Sequence, residues 1–178
     1  MNLRNLRPIP VTHAIGAMAL FLVLGTSASS AITAGKGECQ NATGKGEWTL
    51  IPSANDPLGR VLGPNTGTLK GAVSAHLTSL VPNPDGSLHA TSVEVWVLGP
   101  QDILQFAGEA TFTPVPGAPI GTVTDALTLT VTGGTGKYAG ATGTINVTGT
   151  GHNLFGPAAG PGSSFFDVRY QGSICTAD

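Results

Sequence analysis

Glu94 and Glu109 are the side chains whose setting would suit proton transfer. Glu94 lies in Ser92-Val93-Glu94-Val95-Trp96-Val97, and Glu109 in Phe106-Ala107-Gly108-Glu109-Ala110. A carboxyl held in an apolar cavity titrates above its usual range and can act as a general acid. That chemistry requires the strand face carrying Glu94, Trp96, Gln105 and Glu109 to line a lumen, with Trp96 and Gln105 as ligand contacts. The same alternation permits the opposite arrangement. Val93, Val95 and Val97 would then face the core, and both glutamates would face water, where unpaired carboxylates are normally found.

Other chemistries find less support. His76, His89 and His152 are far apart in the chain and form no metal-ligand spacing, so no metal site and no cofactor are expected. No Ser-His-Asp order or nucleophile elbow is present. Asp167 and Arg169 alternate on one face of a C-terminal strand and read as a surface pair. Gly134-x-Gly136-x-x-Ala139 has the outline of a dinucleotide fingerprint. The segment after it is Thr- and Val-rich, however, where that fingerprint needs a helix.

The elements that would position these residues are strands. Segments of alternating apolar and polar residues include 87–98, 103–113, 123–132, 144–150 and 164–175. An initial strand is expected around Glu47–Ile51. Residues 52–64 are rich in Pro, Asn, Asp and Gly and read as a loop, followed by a strand over 66–80. A tight turn at Gly99-Pro100-Gln101-Asp102 would set Val97 opposite Leu104 and Val95 opposite Phe106, matching apolar with apolar. About seven or eight strands at regular spacing indicate an all-β antiparallel barrel or sandwich. The threonines at 122, 124, 128, 130, 132, 144, 148 and 150 suit the wet face of such strands.

Composition agrees with that class. Only 10% of the 178 residues are charged, and 26 are glycine. The formal net charge of −2 offers no basic face for nucleic acid. Residues 1–34 have the form of a secretory signal. Arg4 and Arg7 precede an apolar run from Ala14 to Leu24, and small residues follow, with cleavage expected after Ala31 or Ala34. The apolar run is too short to span a bilayer comfortably, so no stable membrane span is expected once the signal is removed. The expected product is a single domain over 35–178, secreted to the periplasm or the extracellular space. Its two cysteines, Cys39 and Cys175, allow one disulfide, which would staple the first strand to the last. Asn41-Ala42-Thr43 and Asn146-Val147-Thr148 match glycosylation sequons.

Between two alternating segments runs Gly133-Gly134-Thr135-Gly136-Lys137-Tyr138-Ala139-Gly140-Ala141-Thr142-Gly143. Through Gly133, Gly134, Thr135, Gly136, Tyr138, Gly140, Ala141 and Gly143 it resembles the signature loop of dirigent proteins and allene oxide cyclase-like barrels. The resemblance covers about a dozen residues. It implies an eight-stranded antiparallel barrel with an apolar lumen, assembly as a homotrimer, and chemistry that cyclises an epoxide or steers radical coupling. The family's catalytic acids cannot be placed here by motif. Two functions remain open: a barrel that binds an apolar small molecule, with or without such activity, and a non-catalytic secreted protein whose barrel is filled by its own side chains.

Overall fold

A computed structural model describes residues 37–53, 55–154, 159 and 163–177. The secretory-signal assignment, residues 1–34, lies outside the described residues. Eight strands close into an antiparallel barrel in chain order. They are β1 (Cys39–Ser53), β2 (Asp56–Gly67), β3 (Gly71–Pro82), β4 (Leu88–Val97), β5 (Ile103–Pro114), β6 (Val123–Thr135), β7 (Thr142–His152) and β8 (Phe165–Cys175). The cylinder closes where β1 pairs with β8, from Cys39 opposite Cys175 to Thr49 opposite Phe165. Closure leaves no unpaired sheet edge.

Alternation decides which side chains go inside. Along β6, Val123, Asp125, Leu127 and Leu129 are buried, while Thr124, Thr128 and Thr130 are exposed. Thr132, Thr144 and Thr148 are exposed as well, so the threonines occupy the outer face as their polarity suggests. The middle of the barrel is filled by Trp96, Leu104, Phe106, Leu129, Ile145 and Val147, each at most 2% exposed. Trp96 packs against Phe106, Tyr170 and Trp48, with ring centroids 5.1, 5.3 and 6.2 Å apart.

The glycine stretch connects β6 to β7 and caps one end. A 3-10 turn, Gly136–Tyr138, follows β6. Gly136 sits at φ +59°, against Gln101 and Asp102 of the β4–β5 turn. A side chain there would be strained by the backbone angle and would collide with both neighbours. Thr135 Oγ1 donates to the Gln101 carbonyl at 2.6 Å, and Asp102 Oδ1 accepts from the Lys137 amide at 3.1 Å. These bonds seat Tyr138, which is buried, beside Leu69 and Ile174. The disulfide Cys39–Cys175 lies at this same end.

Two expectations about the strands are corrected. Residues 52–64 are largely strand: β2 pairs with β1 on one side and β3 on the other, despite Pro57, Gly59, Gly63 and Pro64. Pairing of Arg60, Val61, Leu62 and Asn65 on both flanks carries the strand past these residues of poor strand propensity. The strand expected over 66–80 is divided, because the chain turns at Thr68-Leu69-Lys70, with Gly67 at φ +92°. The β4–β5 hairpin also differs in register. Val97 faces Ile103, Val95 faces Gln105, Trp96 faces Leu104 and Glu94 faces Phe106. The turn is tighter by one residue and is closed by the Leu98 amide donating to the Asp102 carbonyl at 2.8 Å. A one-residue shift exchanges the faces of a strand. Here it sends Trp96 and Glu94 inward with Leu104 and Phe106, and leaves Val93, Val95 and Val97 exposed.

Candidate functional site

Glu94 is 3% exposed and points into the barrel. Two neighbours on its own strand hold the carboxyl. Trp96 Nε1 donates to Oε2 at 3.0 Å, and Ser92 Oγ donates to Oε1 at 3.3 Å. Gly108 on β5, opposite Ser92, makes the second bond possible, because a Cβ at 108 would occupy the position of the Ser92 hydroxyl. Glu109 and Gln105 are corrected. Both are exposed on the outer face of β5, where they alternate with the inward Leu104, Phe106 and Ala110. Glu94 and Trp96 therefore share the interior, and Glu109 and Gln105 do not join them.

Glu94's acidic neighbour in the lumen is Asp125, which the reading of the residues did not single out. Asp125 is 5% exposed, and its Oδ1 has no hydrogen-bond partner among the described residues. A signal for it was present in the sequence. In Val123-x-Asp125-x-Leu127-x-Leu129-x-Val131, the aspartate occupies a position in an otherwise apolar series with the period of a strand. Glu94 and Asp125 line one cavity of about 30 Å³, together with Trp48, Val61, Ala75, Ser92, Ala110, Phe112, Leu127 and Phe166. That is room for roughly one or two water-sized groups.

Burial governs the ionisation of both acids. Desolvation pushes the Glu94 carboxyl up to about 7, partly opposed by the hydrogen bonds from Trp96 and Ser92. Desolvation, then repulsion from Glu94, pushes Asp125 up to about 7. Among the described residues, the buried polar side chains are Asn65, Ser87, Ser92, Glu94, Asp125 and Ser164, with no Lys, Arg or His. Near neutral pH such a pair can both give and take a proton, the requirement for general acid–base work.

At the end away from the glycine loop, the barrel opens into a larger, apolar cavity of about 310 Å³. Leu50, Leu58, Leu77, Leu80 and Leu154 surround it, with Phe112 and Phe166. Those two phenylalanines, their ring centroids 6.0 Å apart, line both cavities and form their common wall.

The remaining candidates lie elsewhere. His76 contacts Asp56 at 3.1 Å, and His152 contacts Asp167 at 3.6 Å while stacking on Phe165. Asp167 thus pairs with His152 across β7 and β8, while Arg169 stands exposed on the same face. No group of three or more His, Cys, Asp or Glu that could hold a metal occurs among the described residues. Among the same residues, no helix is long and apolar enough to cross a membrane. Comparison with known proteins yields no match: no family model, curated protein or solved structure matches this chain.

Proposed function

We propose that this is an exported barrel that binds an apolar small molecule through its open end. The observation that carries the reading is the leucine-lined mouth of about 310 Å³, which shares a wall with the Glu94–Asp125 cavity. Its size is at the lower bound of ordinary small-molecule sites, and apolar walls with a few convergent polar groups are typical of them. The leader pattern of residues 1–34 and the Cys39–Cys175 disulfide support export. The resemblance of Gly133–Gly143 to dirigent and allene oxide cyclase-like barrels adds two finer expectations. One is acid-assisted chemistry on the bound molecule, for which Glu94 is the proton donor in reach of the lumen. The other is a homotrimer, for which the exposed Val93, Val95 and Val97 row offers an apolar surface.

Leu80 lies on the rim of the mouth. Leu80→Trp is expected to fill that space and weaken binding of a neutral apolar probe, N-phenyl-1-naphthylamine, by about tenfold or more, the equivalent of about 1.4 kcal/mol. Probe fluorescence measures this directly. Equal binding by both proteins would place the probe elsewhere and remove the reading.

A second reading has its own support. The mid-barrel is packed solid by Trp96, Phe106, Leu104 and Leu129, as in barrels whose interior serves only as a core. It predicts no probe uptake by either protein.

A further inference from the structure

The acid cavity has a charge problem that the protein does not solve with its own side chains. β1, β2, β3, β4, β5, β6 and β8 all contribute to its lining, and none contributes a cation. Among the described residues, the two carboxyls are the only titratable groups lining it. When either is ionised, the negative charge is buried among Trp48, Val61, Ala75, Ala110, Phe112, Leu127 and Phe166, a costly arrangement unless a positive partner arrives. Asp125 Oδ1 is in addition a buried acceptor with no donor among the described residues.

We infer that the lumen takes an amphiphilic amine, with its ammonium between Glu94 and Asp125 and its hydrocarbon in the leucine-lined mouth. This rests on the proposed binding function and names the class of ligand. A primary ammonium is about the size of a water molecule, which suits a cavity of about 30 Å³. Its three N–H donors meet the orphan Asp125 Oδ1 and the remaining acceptor capacity of Glu94. The Trp48 ring on the cavity wall adds a favourable surface for a cation. The hydrocarbon reaches the mouth by displacing the Phe112 and Phe166 rings, the wall common to both cavities. An alcohol of the same length keeps the apolar contacts and loses the charge attraction. A fatty carboxylate adds a third negative group and is repelled.

The chain supplies its own reporter. Its two tryptophans, Trp48 and Trp96, both sit at the acids: Trp48 on the cavity wall, and Trp96 bonded to Glu94. The disulfide-bonded protein is titrated at pH 7.5 with n-octylamine, 1-octanol and octanoate, with tryptophan fluorescence as the readout and calorimetry as a check. Octylamine is expected to bind at least about tenfold more tightly than octanol, the difference expected of one charge-assisted contact, and octanoate more weakly than either. Asp125→Asn and Glu94→Gln should each erase the preference for the amine over octanol, both ligands being measured on the same variant. Octanol binding as tightly as octylamine overturns the amine inference and leaves apolar binding standing. No binding of any of the three overturns both. The wild-type ranking decides the matter even if a variant fails to fold.

Discussion

Replacing Cys39 and Cys175 together by serine is expected to lower the unfolding free energy by about 5 kcal/mol. The two half-cystines are 136 residues apart, and in the chain-entropy model closing a loop of that length removes about 5 kcal/mol of freedom from the unfolded chain. The folded side of the balance changes little. Cys39 and Cys175 face each other as the last pair of the β1–β8 ladder, which continues through eleven paired positions to Thr49 and Phe165. The ladder therefore holds the seam without the bond. The loss is of the order of a small domain's entire stability. Urea unfolding of the oxidised wild type and the double variant measures it. A difference below about 1 kcal/mol would mean that the unfolded chain is already compact, so that the cross-link removes little freedom from it.

Asp125→Asn is expected to stabilise the barrel at pH 8 by about 3 kcal/mol and to flatten its dependence on pH. The ordinary values of Asp125 and Glu94, 3.8 and 4.5, describe the unfolded chain, and burial raises both to about 7 in the barrel. The native state then binds more protons than the unfolded state between about pH 4 and pH 7. Unfolding free energy must fall as pH rises through that window. Below it, both acids are neutral in both states, and their burial carries no charge penalty. Above it, the full cost of burying charge is present, up to about 3–4 kcal/mol per group for shifts of this size. The two acids repel, so their contributions do not add independently. Asp85 acts in the opposite direction. Its carboxyl is held low by bonds from Ser87, and the stability it contributes is lost as pH falls, but it is at the surface, where such effects are small. Urea midpoints at pH 5 and pH 8 check the prediction. A wild type more stable at pH 8 than at pH 5, or an Asp125→Asn profile parallel to it, would contradict the buried acid pair.

Strand periodicity made much of this barrel legible, and its limits have physical causes. β4 to β8 alternate clearly because each has one face in the core and one in water. β2 does not show itself, because Pro57, Gly59, Gly63 and Pro64 look like punctuation, while the strand is held by Arg60, Val61, Leu62 and Asn65, which pair with both β1 and β3. The orientation of β4 was ambiguous for a different reason. Three valines compete with Ser92, Glu94 and Trp96 for the interior, and average hydrophobicity favours the valines. The turn decides otherwise: with Val97 opposite Ile103, the aromatic and acidic face enters the lumen. Half of the acid pair, Glu94, could be named as a conditional candidate. Asp125 was equally visible as an acid out of pattern in β6, but its pairing with Glu94 depends on β4 and β6, which flank β5, turning these two faces into one cavity. The glycine loop was legible as a connection, and its task of seating Tyr138 in the closed end became apparent only with the β4–β5 turn beside it.

The most direct test of the account is native mass spectrometry of the natively purified protein, compared with the same sample denatured. The account predicts a bound apolar small molecule that leaves on denaturation, or that an emptied barrel takes up again from a hydrophobic extract. A spectrum at the bare polypeptide mass in both states, with no uptake from the extract, would contradict it and leave a barrel whose interior serves only to hold its own wall together.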